Sequence, residues 1–152
     1  MAEASPGPTR ARRRAVTTVA LAIVTALGLL SRRFPLPGVF AEHVGDALYT
    51  VAAFFALALF APAAQGAKLA WAALAASAAV EASQLLSWPW LQGLRSTRVG
   101  ALLLGQGFQA ADLFSYACGA LGAWCVDGAC ARRGAVDGKF SGRVAPGPAD
   151  RR

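Results

Sequence analysis

The chain has 152 residues, 56% of them hydrophobic and only 15% charged, and its mean hydropathy is positive, which is too apolar for an ordinary soluble domain of this length. Cys118, Cys125 and Cys130 are odd in number and match neither a disulfide framework nor a paired CxxC zinc pattern, and the sixteen glycines follow no triplet period, so a disulfide scaffold and a collagen are both excluded. The net charge of +7 does not point to nucleic acid as a partner. Its bases flank apolar runs and do not line a groove interleaved with aromatics.

Residues 1–14 are rich in Ala, Pro and Arg and show no apolar period, so they are expected to form a disordered basic tail. The first apolar run, 15–31, follows Arg12, Arg13 and Arg14 directly. It lacks a small-x-small processing site, since Ser31, Arg32, Arg33 and Phe34 stand where one would be needed, and it is read as a retained anchor helix. A second run, 47–64, carries Phe54, Phe55 and Phe60. The third, 69–86, holds one acid, Glu81, and stops at Trp88-Pro89-Trp90. The fourth, 110–126, has Asp112 near its start. Each is long enough to cross a bilayer as a somewhat short helix, because about 20 residues at 1.5 Å rise cover roughly 30 Å of hydrocarbon. No stretch alternates as a barrel strand would. Residues 127–152 scatter glycines and prolines among charges and are expected to form a second disordered tail.

The expected architecture is therefore all-α: a polytopic membrane protein with a four-helix transmembrane domain over 15–126 between two basic tails. Orientation follows from the bases. With the amino terminus inside and four spans, eleven bases fall on the inner side (Arg10, Arg12, Arg13, Arg14, Lys68, Arg132, Arg133, Lys139, Arg143, Arg151, Arg152) and four on the outer (Arg32, Arg33, Arg95, Arg98). Both termini are expected in the cytoplasm. The long outer segment between the third and fourth runs contains Val99 to Leu104, too short to span and expected to lie at the interface or to dip back into the bundle.

This topology brings Asp46, Glu81 and Asp112 to one level in the outer half, with Gln84 beside Glu81 at i+3 and Tyr116 beside Asp112 at i+4. An ionisable group at such depth faces the bundle interior with a partner, and Arg95 and Arg98 are the expected counter-ions of Glu81. Two readings stay open. In one, Glu81, Gln84, Arg95, Arg98, Asp112 and Tyr116, with Asp46 as a secondary member, line an outward-open pocket for the head group of an anionic, lipid-linked envelope precursor. In the other they form a closed salt-bridge network that fixes the bundle and leaves a surface for a partner membrane protein. Asp46 and Asp112 also suit helix caps, and Ser115, Gly119 and Ala123 form a small-residue ridge suited to helix contact. His43 stands alone beside Glu42. One histidine without a second ligand set is not expected to hold a metal, and no cofactor is expected.

The motifs carry a resemblance. Gly45-Asp46-Ala47-Leu48 precedes the second run. Glu81, Ser83 and Gln84 are followed by Pro89-Trp90-Leu91 and by Leu94, Arg95 and Thr97. Gly105, Gly107 and Phe108 are followed by Asp112-Leu113, Tyr116 and Gly119. Over roughly residues 16–126 this order resembles an uncharacterised bacterial family of four-helix membrane proteins, domain of unknown function 2809, and more distantly it is similar to the VanZ-like family. The resemblance implies a four-helix fold in the bacterial cytoplasmic membrane and brings no established activity.

Overall fold

The computed structural model describes residues 8–34, 40–105 and 107–141. They form six helices in the order α1 (Pro8–Arg33), α2 (Phe40–Phe60), α3 (Gly66–Ser83), α4 (Pro89–Arg95), α5 (Arg98–Leu104) and α6 (Ala110–Ser141), with no strand among the described residues. Pro8 is the first residue of α1, where its fixed φ suits a helix and its missing N–H costs nothing. The second helix stops at Phe60, two residues before Pro62, whose ring disfavours helical backbone in the residue before it. Pro89 opens α4 in the same manner as Pro8 opens α1, and Thr97 caps α5 by accepting the Gly100 N–H at 3.0 Å.

The second helix is the centre of the bundle. It packs against α1 on one side and against α3 and α6 on the other, while α3 and α6 also pack on each other. The core is made of Phe54, Phe55 and Ala58 from α2, Leu69, Ala70 and Ala73 from α3, and Ala120 and Ala123 from α6. Alanine at five of these eight positions lets helix axes approach closely, the usual packing mode where lipid removes any hydrophobic drive between helices. Gly119 takes this to its limit. A Cβ there would lie 2.4 Å from the Ala47 carbonyl oxygen, so α6 crosses α2 in near-backbone contact. Large apolar side chains meanwhile face outward, among them Val19, Ile23, Trp71, Phe114 and Leu121. Apolar outside and small residues inside is the pattern of a lipid-facing bundle.

Among the described residues, three helices are long and apolar enough to cross a membrane, over Ala11–Ser31, His43–Phe60 and Ala110–Arg132. The third expected span, now α3, is not among them; it carries Lys68 and Glu81 within its 18 residues. Both tails differ from expectation in the part that is described. Residues 8–14 and 127–141 are helical, continuing α1 and α6 outward. The reason is local: Arg and Ala are strong helix formers, and Gly128, Gly134 and Gly138 are isolated among such residues, so each weakens the helix by about 1 kcal/mol without ending it. The remainder of the expected tails, 1–7 and 142–152, lies outside the described residues.

Polar contacts gather at the two ends of the bundle. At one end Arg13 of α1 donates to the Pro62 carbonyl oxygen and pairs with Asp127 of α6 at 3.2 Å. The start of α1, the α2–α3 turn and the middle of α6 therefore meet there. At the other end Tyr49 of α2 donates to the Leu103 carbonyl oxygen of α5 at 2.9 Å, close to the cluster described next.

Candidate functional site

Glu81 lies in the last turn of α3 with 1% of its surface exposed. A carboxylate taken out of water needs its lone pairs filled, or burial costs several kcal/mol. Three donors fill them. The Gln84 side-chain amide donates to Oε2 at 2.9 Å, the Tyr116 hydroxyl to the same oxygen at 3.1 Å, and the Gln109 backbone N–H to Oε1. They come from three places: the end of α3 itself, the second turn of α6, and the residue just before α6. The pairing of Glu81 with Gln84 agrees with the sequence reading. Tyr116, one turn beyond Asp112 on α6, donates to Glu81.

The approach of Gln109 depends on a backbone device in the Gly-Gln-Gly-Phe stretch. Gly105 has φ +66° and Gly107 φ +112°, a region that side chains with a Cβ rarely enter. A Cβ at Gly105 would also sit 2.5 Å from the Gln84 Nε2 that holds Glu81. These glycines turn the chain from α5 into α6 so that Gln109 reaches the carboxylate.

The arginines expected at Glu81 are not among its donors. Arg95 turns to the other side of the α3 terminus, donating to Ser83 Oγ at 3.0 Å and to the Leu86 carbonyl oxygen at 3.4 Å. Arg98 is exposed at the start of α5. The reason is geometric: α4 opens at Pro89 and carries Arg95 back over the end of α3, where helix-terminal carbonyls attract a guanidinium. Among the described residues Glu81 is thus held by neutral donors and by no salt bridge.

A second group forms where α2 meets the start of α6. Because α2 begins at Phe40, Asp46 lies in its second turn and is not a cap. His43 and Asp46, at i and i+3, share one face of α2. Opposite stands Asp112, 8% exposed and in the first turn of α6, where a carboxylate also complements the positive end of the helix. One ligand-type atom from each of the three lies within 4.8 Å of the other two, and His43 Nδ1 is 3.8 Å from Asp112 Oδ1. Tyr116 stands between this group and Glu81, in the field of all three carboxylates.

Asp112, Ser115, Tyr116 and Gly119 are all buried on α6, so their shared face looks inward as their spacing implies. Ser115, Gly119 and Ala123 are likewise buried as a contact ridge, and the helix they admit is α2. The sequence reading missed three participants. Gln109 acts through its backbone, which carries no sequence signature. Thr50 and Ser77, both 0% exposed, share a hydrogen bond of 2.9 Å between α2 and α3 just below the cluster. His43 was discounted for want of partners, although its i+3 spacing to Asp46 was visible.

The family model described as "Protein of unknown function (DUF2809)" matches residues 35–120, more than half of the chain. The chain belongs to this family. The matched region of the DUF2809 chain contains every residue of the cluster, from His43 to Tyr116, and leaves out all of α1 as well as Asp127. No curated protein and no solved structure matches the chain significantly.

Proposed function

We propose that this DUF2809 protein is a four-span protein of a bacterial cytoplasmic membrane, both termini in the cytoplasm, whose outer end is a binding scaffold and not a centre of covalent chemistry. The observation that carries this reading is the closure of the Glu81 site: one buried carboxylate, three neutral donors from separate segments, and no arginine among them. Such a site locks α3 to α6 and to the turn before it. Among the described residues it brings no nucleophile and no arginine to the carboxylate.

The fourth span in this reading is α3. Its 18 residues rise about 27 Å, and it packs against both α2 and α6. The gathering of the α1 start, the α2–α3 turn and Asp127 at one end, with His43, Glu81 and Asp112 at the other, fits an even number of crossings. The bases favour the Arg13 end as the cytoplasmic one. In the same reading α4 and α5 lie at the outer interface, where the exposed Trp88 and Trp90 suit an aromatic belt.

Membrane lipid and a partner membrane protein are the occupants this surface suits best. An anionic, lipid-linked envelope precursor keeps one feature in its favour, the exposed Arg98 at the α5 start, and would bind at the rim and not at Glu81. The test is a pair of reporter fusions, one active only inside the cell and one only outside, placed at residue 152. The inside reporter is expected to work. Activity of the outside reporter instead would overturn the four-span reading.

A further inference from the structure

We propose that His43, Asp46 and Asp112 bind a single divalent transition-metal ion where α2 meets the start of α6. The donor chemistry comes first. One imidazole nitrogen and two carboxylates are borderline-hard ligands, the kind of set that suits Zn²⁺, Fe²⁺ or Mn²⁺ better than all-oxygen Ca²⁺ or Mg²⁺ sites. The three ligand atoms already lie within 4.8 Å of one another.

The His43–Asp112 spacing points the same way. At 3.8 Å Nδ1 and Oδ1 are too far apart for a hydrogen bond. Two ligands held at 2.0–2.2 Å on one ion stand roughly 3–3.5 Å apart, so closing the gap onto an ion takes a movement of a few tenths of an ångström. His43 Nδ1 is itself enclosed and has no hydrogen-bond partner among the described residues. An enclosed ring nitrogen facing a carboxylate at this distance is filled by an ion bridging the two.

The gap is set by backbone packing. Ala47, next to Asp46, is the residue that Gly119 of α6 meets in near-backbone contact, so the α2–α6 crossing fixes the distance between the helix that carries His43 and Asp46 and the helix that carries Asp112. Ligands on two clamped helices are held more precisely than ligands on loops. The His43 side chain keeps about a third of its surface exposed, at 32%, which leaves an approach for the ion and a coordination position for water or for a donor group of a bound partner.

The experiment uses the full chain in detergent, with Cys118, Cys125 and Cys130 changed to Ala because these exposed thiols would take up zinc on their own. The protein is stripped with a chelator and titrated with Zn²⁺ and then with Co²⁺. Expected are uptake of about one ion per chain, a raised thermal midpoint, and visible Co²⁺ absorption of a mixed nitrogen–oxygen site. His43→Ala, at a half-exposed position, is expected to leave the metal-free melting point unchanged and to weaken the ion by about tenfold or more. Asp112→Asn should weaken it similarly, and where that variant fails to fold the His43 result decides. Absence of stoichiometric uptake, or uptake unaffected by His43→Ala, would overturn the site. Uptake in detergent does not depend on the number of spans or on orientation, so it stands or falls apart from the function proposed above.

Discussion

The two ends of the bundle handle buried charge in opposite ways. At the Arg13 end the partners are ions of opposite sign, half-open to solvent, with side-chain exposures of 33% for Arg13 and 15% for Asp127. At the Glu81 end the carboxylate is sealed, and its donors among the described residues are neutral. The difference follows from desolvation. An arginine near a helix end can keep part of its hydration while it pairs, whereas bringing a guanidinium to the depth of Glu81 would strip a second ion of water for a gain that often fails to offset the loss. Neutral amide and hydroxyl donors satisfy the carboxylate at lower cost, and two of them, the Gln109 N–H and the Tyr116 hydroxyl, also tie the start of α6 to the end of α3.

The largest expected effect breaks the sealed end. Glu81→Ala leaves the Tyr116 hydroxyl, the Gln84 amide and the Gln109 N–H without their acceptor and should destabilise the chain by roughly 3 kcal/mol or more; Glu81→Gln, which keeps one acceptor oxygen, should cost about half of that. Reversible unfolding in detergent measures both, and equal losses would mean that the donors find other partners. Next comes Gly119→Ala, which drives a methyl group into the Ala47 carbonyl at the α2–α6 crossing and is expected to cost about 1–3 kcal/mol; the same unfolding measurement would show no loss if the helices could simply part. The smallest effect belongs to the half-open end. Arg13→Ala removes a partly solvated ion pair, for which about 1 kcal/mol or less is expected, falling further as salt is raised. A salt-independent loss as large as that of Glu81→Ala would erase the contrast between the ends.

Hydropathy made the long helices readable. The runs at 15–31, 47–64 and 110–126 coincide with α1, α2 and α6, and the run at 69–86 with α3, to within a few residues at most ends. What escaped was the extension of α1 back to Pro8, of α2 back to Phe40 and of α6 forward to Ser141. Near α2, Glu42, His43 and Asp46 mask a helix that has already begun. Beyond Asp127, three glycines look like breakers although the residues between them favour helix. Within the site, the level shared by Asp46, Glu81 and Asp112 was legible from topology, and Gln84 from its i+3 spacing. The identity of the donors at Glu81 was not. Whether Tyr116 turns to Asp112 or to Glu81 depends on how α3 sits against α6, and the Gln109 N–H becomes available only because Gly105 and Gly107 adopt positive φ. Arginine as counter-ion was the natural inference from charge alone, and it fails because Arg95 is drawn to the α3 terminus by Ser83 and Leu86.

The central claim is that neutral donors, and no arginine, hold Glu81. Two double-mutant cycles test it most directly, one combining Glu81→Gln with Tyr116→Phe and the other combining Glu81→Gln with Arg95→Ala, each read from unfolding free energies in the same detergent. The first should show a coupling of about 1 kcal/mol, and the second should be additive to within about 0.5 kcal/mol. Additivity with Tyr116 together with strong coupling to Arg95 would contradict the account and restore the salt bridge.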